Sequence, residues 1–386
     1  MKMQSLLNLL GLISGVLLLS GCNPPATVPA EEAFRNLVMQ DPELNDKEKL
    51  GKLLFFENAL STPEGQSCSF CHDPKAAFAD PNYELPVSKG AIEGRYGNRN
   101  DMPVSYAAFV PPLHYDEEEE VWVGGLFWDG RSNTLTEQAM QPPLNPLEMA
   151  NPDTITIQQS LIGLPYADMF TKVYGEGALA TPAVAFLNMA DAMEAYQRTP
   201  EVNPFSSKYD HYLRGEVLLT EQEMRGLALF IAEDKGNCVA CHPVTPLDDG
   251  TPPLFTDFTY DNLGVPVNAG SPFLLLPPEL NPDGMNYIDP GLAATVNDQA
   301  EFGKFRVPTL RNVGITQPYM HNGYFRTLWD VVAFYNTRDI APWPAPEVAE
   351  TMNRDEMGDL GLTNLEIEDI IAFMLTLTDG FTPQAK

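Results

Sequence analysis

Two pentapeptides constrain this chain more than anything else in it: Cys68-Ser69-Phe70-Cys71-His72 and Cys238-Val239-Ala240-Cys241-His242. Two thiols separated by two residues, with histidine directly after, are the attachment chemistry of a c-type haem. The thiols add to the two vinyl groups, and the histidine is set under the iron as its proximal ligand. A zinc ribbon spaces its cysteine pairs about 15–20 residues apart, whereas 166 residues separate Cys71 from Cys238. A thioredoxin-like redox pair calls for a βαβ context and no trailing histidine. The expectation is two covalent haem c groups, one held by Cys68, Cys71 and His72, the other by Cys238, Cys241 and His242. The fifth cysteine, Cys22, belongs to the N-terminal leader, so no disulfide is expected.

A chain of 386 residues suggests two domains at about 100–200 residues each, and a repeat supports that division. Lys49-Leu50-Gly51-Lys52-Leu53-Leu54-Phe55-Phe56 leads into the first motif and Met224-Arg225-Gly226-Leu227-Ala228-Leu229-Phe230 into the second. In both, Gly precedes Phe by four, about one helical turn, which puts the two on one face. Each half also closes on an amphipathic helix. Residues 182–198 carry Phe186, Met189, Ala190, Met193 and Tyr196 on one side, with Pro182 in the first turn. Residues 364–377 carry Ile367, Ile370, Ile371, Met374 and Leu377, with Thr363 and Glu366 spaced as a capping box. Both stripes read as core packing. The 35 prolines and 28 glycines fall largely between such helices, as at Pro252-Pro253 and Leu276-Pro277-Pro278, and strand-like alternation is scarce. The predicted fold class is mostly α, with two cytochrome-c-like domains at 46–200 and 201–386, each carrying one covalent c-type haem and wrapped by long irregular loops.

Lys2 followed by the apolar stretch at 6–19 reads as a signal-peptide core, too short to span a bilayer comfortably. It ends in Leu19-Ser20-Gly21-Cys22, which looks like a bacterial lipobox. The expected layout is a lipoprotein signal peptide at 1–21, a lipid anchor on Cys22 and a flexible tether at 22–45. The expected location is the periplasm, with Asn23 after the cysteine resembling an outer-membrane sorting residue. Lys and Arg number 23 against 53 Asp and Glu, a net charge of −30. A phosphate backbone would be repelled, which excludes nucleic acid, whereas a basic protein partner would be attracted. The run at 116–120 is a solvated acidic loop or a docking patch for such a partner.

Two C-x-x-C-H motifs about 170 residues apart in an exported chain resemble the bacterial di-haem cytochrome c peroxidase family, which includes the MauG enzymes. Phe127-Trp128-Asp129-Gly130-Arg131 looks like a family signature, and Gln138, Pro142 and Glu148 follow Trp128 at the family's distal-pocket offsets. Phe305-Arg306-Val307-Pro308-Thr309-Leu310-Arg311-Asn312 and Pro318-Tyr319-Met320-His321-Asn322-Gly323 look like its C-terminal signatures. The resemblance implies a peroxidase using H2O2 at one haem. Glu148 would be its acid/base, Gln138 would line the same pocket, and Trp128 would relay electrons between the haems. Residues 73–113 hold no histidine to block the first iron, which implies an open, five-coordinate site. Tyr335 stands where most members present methionine, 14 residues after His321, and implies the MauG-type axial tyrosine on the second haem. A Ca²⁺ site built from Asn100 with the carbonyls of Thr316 and Pro318 is implied as well, as is pairing of Arg306 and Arg311 with haem propionates.

In one respect the chain departs from MauG: Gly236 occupies the position of the tryptophan that precedes MauG's second haem motif. The implied electron source is a small periplasmic cytochrome c or cupredoxin, or else a protein substrate is oxidised. The competing reading is a di-haem electron-transfer cytochrome without turnover.

Overall fold

A computed structural model describes residues 30–383. The leader, Cys22, Asn23 and the first part of the tether lie outside the described residues. The chain divides into two compact units, residues 1–40 and 41–386. In the first, residues expected as tether form helix α1 (Ala30–Gln40). Glu31 and Glu32 in its first turn suit the positive end of the helix dipole.

The second unit is helical with long connections, as its sequence reads. Its N-terminal part comprises α2 (Asp46–Phe55), α3 (Cys68–Cys71), α4 (Leu135–Ala139), α5 (Thr154–Gly163), α6 (Asp168–Tyr174) and α7 (Pro182–Gln197). Its C-terminal part comprises α8 (Lys208–Leu213), α9 (Glu221–Ile231), α10 (Ala293–Val296), α11 (Leu328–Thr337) and α12 (Asn364–Leu375). Among the described residues strands are confined to β1 (His114–Asp116) paired antiparallel with β2 (Val121–Val123), and β3 (Tyr260–Asp261) paired with β4 (Phe305–Arg306). No helix among the described residues is long and apolar enough to cross a membrane.

The sequence repeat becomes a structural repeat. α2 packs on α7, and α9 packs on α12. A Cβ at Gly51 would collide with the Ala192 carbonyl of α7, and one at Gly226 with the Asp369 carbonyl of α12. Each glycine therefore lets two helices cross at backbone contact. The phenylalanine four residues on seals the crossing: Phe55 meets Tyr196 edge-on at 5.4 Å, and Phe230 meets Phe373 at 5.2 Å. Both closing helices are capped as their sequences suggest. Thr181 accepts from Val184 N–H ahead of α7, and Thr363 with Glu366 completes a capping box on α12. Two equivalent helix pairs thus stand beside the two C-x-x-C-H turns.

Candidate active site

The two attachment turns are built alike. Cys68–Cys71 form one turn of helix and Cys238–Ala240 a 3-10 turn. The backbone N–H of the following histidine closes each turn, His72 to the Cys68 carbonyl at 3.0 Å and His242 to the Cys238 carbonyl at 2.8 Å. Each imidazole then directs Nδ1 to a backbone carbonyl, His72 to Phe78 at 3.0 Å and His242 to Phe255 at 2.7 Å. A hydrogen bond at Nδ1 fixes the ring and leaves Nε2 as the ligating nitrogen. Burial pushes the His242 pKa down to about 4, so the ring is neutral, as iron ligation requires. Burial also pushes the Cys68 and Cys238 thiols up to about 12. All four cysteines of the two turns are unpaired with one another.

A large, mainly apolar cavity opens beside the second turn. Cys238, Cys241 and His242 line it together with Leu328, Val331, Val332 and Tyr335. The last four lie at i, i+3, i+4 and i+7 of α11, one helical face. Burial raises the Tyr335 phenol well above its usual range, the neighbouring thiols and Asp261 act in the same direction, and Arg338 opposes them. The cavity is further lined by Phe305, Arg306, Met320, His321, Asn100 and Trp128.

Arg306 decides whether this space suits a haem. Its side chain is buried, its donors reach, among the described residues, only the Phe127 carbonyl and the Met102 sulfur, and burial lowers its pKa. A buried guanidinium without a carboxylate is costly unless an anion comes to it, and a propionate is such an anion. At the first turn, Gln66 Oε1 is buried without a partner among the described residues, while its Nε2 lies 3.9 Å from Cys71 Sγ. Anchoring thiols, a neutral imidazole, an apolar cavity and orphaned polar groups on both sides fit two covalent haems.

Glu148 comes to the first turn. Its charge raises the pKa of both Cys68 and Cys71, and Asn145 Nδ2 donates to its Oε1 at 2.7 Å. Burial, then repulsion from Asp101, raises the carboxyl to about 7, against lowering by Arg131 and Asn145. The residue as a whole is half-buried. Gln138 sits half-buried in α4, and its side-chain amide makes no hydrogen bond to another described residue. Trp128 is buried, donates from Nε1 to the Asn100 carbonyl at 2.7 Å and meets Phe305 edge-on at 6.4 Å. Phe305 in turn stacks on His321 at 3.7 Å.

Asn100 and Pro318 lie together: Asn100 Nδ2 donates to the Pro318 carbonyl at 2.5 Å, and Thr316 lines the same cavity. Arg311 departs from its implied role. Its guanidinium is fully buried, clamps Asp210 through two donors at 2.9 and 3.0 Å and donates to the Pro253 carbonyl at 2.7 Å. It is sandwiched among Tyr106, Phe205 and Phe255 and does not line the cavity. It is a structural ion pair, because Asp210 offers a bidentate partner inside the protein.

Sequence reasoning passed over Asp101. Its carboxyl lies with Asp80 and the Cys71 sulfur within 4.8 Å of one another and accepts from Ser88 at 2.6 Å; burial raises its pKa. No motif marks it, since its neighbours come from separate stretches of the chain.

Residues 45–217 match the di-haem cytochrome c peroxidase family. The chain is 40% identical to the methylamine utilization protein MauG of Paracoccus denitrificans, over 86% of this chain and 88% of that one. It is 31% identical to the cytochrome c551 peroxidase of Pseudomonas aeruginosa, over 96% and 93%. Among solved structures, the diheme peroxidase BthA of Burkholderia thailandensis matches with a TM-score of 0.76 at 34% identity, covering 88% of this chain and 87% of that one. With likeness that runs through both halves and a C-x-x-C-H turn in each, this chain belongs to the di-haem cytochrome c peroxidase family, MauG included, as an oxidoreductase with two haem c groups.

Proposed function

We propose that the chain is a periplasmic, lipid-anchored, MauG-like peroxidase that reduces H2O2 at the His72 haem. A His242/Tyr335 haem would pass the oxidising equivalents on to a small electron-donor protein or a protein substrate. When bound, the iron supplies an open coordination position and the electrons for O–O cleavage. Glu148 moves the proton. Oε1 is engaged by Asn145, so Oε2 takes the proton from the inner peroxide oxygen and gives it to the outer one, which leaves as water. Gln138, whose amide is uncommitted, orients the peroxide. Trp128, pinned by the Asn100 carbonyl in the wall of the second site, would relay electrons between the two haems. Tyr335 supplies an oxygen donor: its buried phenol loses its proton only opposite a cation, and ferric iron is one. With its amide turned to present Oδ1 in place of the Nδ2 that meets the Pro318 carbonyl, Asn100 would join the Thr316 and Pro318 carbonyls as oxygen ligands suited to Ca²⁺.

The observation that carries this reading is Glu148, a carboxyl poised at about 7 beside the first attachment turn with one oxygen free. The test is stoichiometric H2O2 added to the diferric holoprotein and followed by absorption and EPR. Rapid loss of a high-spin ferric signal is expected, slowed by about 10²–10⁴-fold in Glu148→Gln. Two low-spin haems inert to peroxide would refute the reading.

A further inference from the structure

Reduction of peroxide needs electrons to reach the second haem site from the surface, and a tryptophan outside the cavity stands in position to carry them. α11 presents Tyr335 to the cavity, and the next residue back, Phe334, is fully buried in an apolar cluster against which Tyr335 also packs. Against Phe334 packs Trp343, ring centroids 5.2 Å apart and edge-on; it also meets Phe325 at 5.9 Å. Trp343, Tyr335 and Met320 pack against one apolar cluster built on Phe334, Phe325, Val265 and Met357, which joins the indole to the cavity-lining face of α11.

The outer side of Trp343 reaches solvent. It is half-buried, in a loop whose neighbours Pro342, Pro344 and Ala345 are exposed and whose Ile340 is 63% exposed. The loop is stiff. Two prolines flank the tryptophan, Trp343 N–H donates to the Ala341 carbonyl, Pro346 bridges to Pro266, and Glu347 N–H donates to Val265. The indole N–H donates to Thr337 Oγ1 at 3.1 Å, and that hydroxyl spends its own proton on the Ala333 carbonyl. A neutral hydroxyl is no base, so the indole can lose an electron and keep its proton, which keeps the step reversible. Trp329, also on α11, packs instead into the separate core formed with α9 and α12.

We propose that Trp343 is the relay residue through which electrons enter the second haem site, an assignment that rests on the peroxidase reading above. Trp343 gives one electron inward past Phe334 and Tyr335 and is re-reduced by one electron from the donor at the surface. Two such cycles supply the two electrons that, with two protons, convert one H2O2 into two waters.

The experiment uses the full-length holoprotein with reduced cytochrome c as donor and compares wild type, Trp343→Phe and Trp329→Phe. Phenylalanine keeps the ring packing and removes the accessible one-electron oxidation. Trp343→Phe is expected to lower the donor-oxidation rate by about tenfold or more, with the resting spectrum and the single-turnover reaction with H2O2 unchanged. Trp329→Phe is expected to match wild type. With peroxide and no donor, mass spectrometry of wild type should find oxygen added at Trp343. Equal donor rates in Trp343→Phe and wild type, with Trp343 unmodified, would overturn the relay, as would a slower rate accompanied by an altered resting spectrum. A wild type that fails to consume H2O2 at all would instead overturn the peroxidase reading.

Discussion

Glu148 and Arg306 stand at the walls of the two haem sites, neither forms an ion pair with another described residue, and each is tuned by burial. The Glu148 carboxyl sits above its usual range, so it is protonated below about pH 7 and able to accept a proton above it. The rate of reaction with H2O2 is therefore expected to rise with pH through about 7, and Glu148→Gln to remove that limb; a stopped-flow pH series checks it. Arg306 and Arg311 look interchangeable in sequence, yet the structure separates them. Arg311→Met strands the buried Asp210 and is expected to destabilise the fold by about 3–5 kcal/mol, read by denaturant unfolding, with little change in haem potentials. Arg306→Gln relieves a lone buried cation, so its effect is expected on the haem potentials in a redox titration more than on stability.

At the scale of elements, two helix pairs carry two attachment turns, and each pair depends on a glycine. Gly226→Ala forces the Asp369 carbonyl of α12 away and Gly51→Ala the Ala192 carbonyl of α7. Each is expected to cost about 1–3 kcal/mol, visible as a lowered Tm of the holoprotein. The sequence showed a Gly-to-Phe spacing and an amphipathic closing helix in each half. That these form one crossing could not be read, because nothing in either segment names its partner. α11 is the other decisive element. Its cavity face repeats at helical spacing and puts Tyr335 with Leu328, Val331 and Val332. Tyr335→Met replaces an oxygen donor with a thioether and is expected to raise the potential of the second haem, measured by spectroelectrochemistry. An unchanged potential would argue against tyrosine ligation.

Over the whole molecule, 53 acidic against 23 basic residues make a field that acts on encounter. The second-order rate with a basic donor such as reduced cytochrome c is expected to fall by about tenfold or more as ionic strength rises from about 0.01 M to 0.1 M, since the Debye length shrinks from about 30 to 10 Å. A rate insensitive to salt would mean the net charge plays no part in recruiting the donor. The cavity is likewise a property of the whole: Asn100 and Trp128 from the N-terminal half line it beside Tyr335 and His242 from the C-terminal half.

What the sequence determined by itself was covalent and local. Two C-x-x-C-H motifs specify their cofactor because thiol spacing and the adjacent histidine are set within five residues, and capping boxes and helix periodicity act within a turn. Tertiary structure alone decided which long-range partners the charged side chains find. Arg311 was drawn to Asp210, 101 residues away, while Arg306 was left facing the cavity, and Asp101 was carried to Cys71 by loops that carry no motif. Spacing along a chain fixes neighbours within a helical turn; the pairing of a buried charge depends on which distant loops close over it.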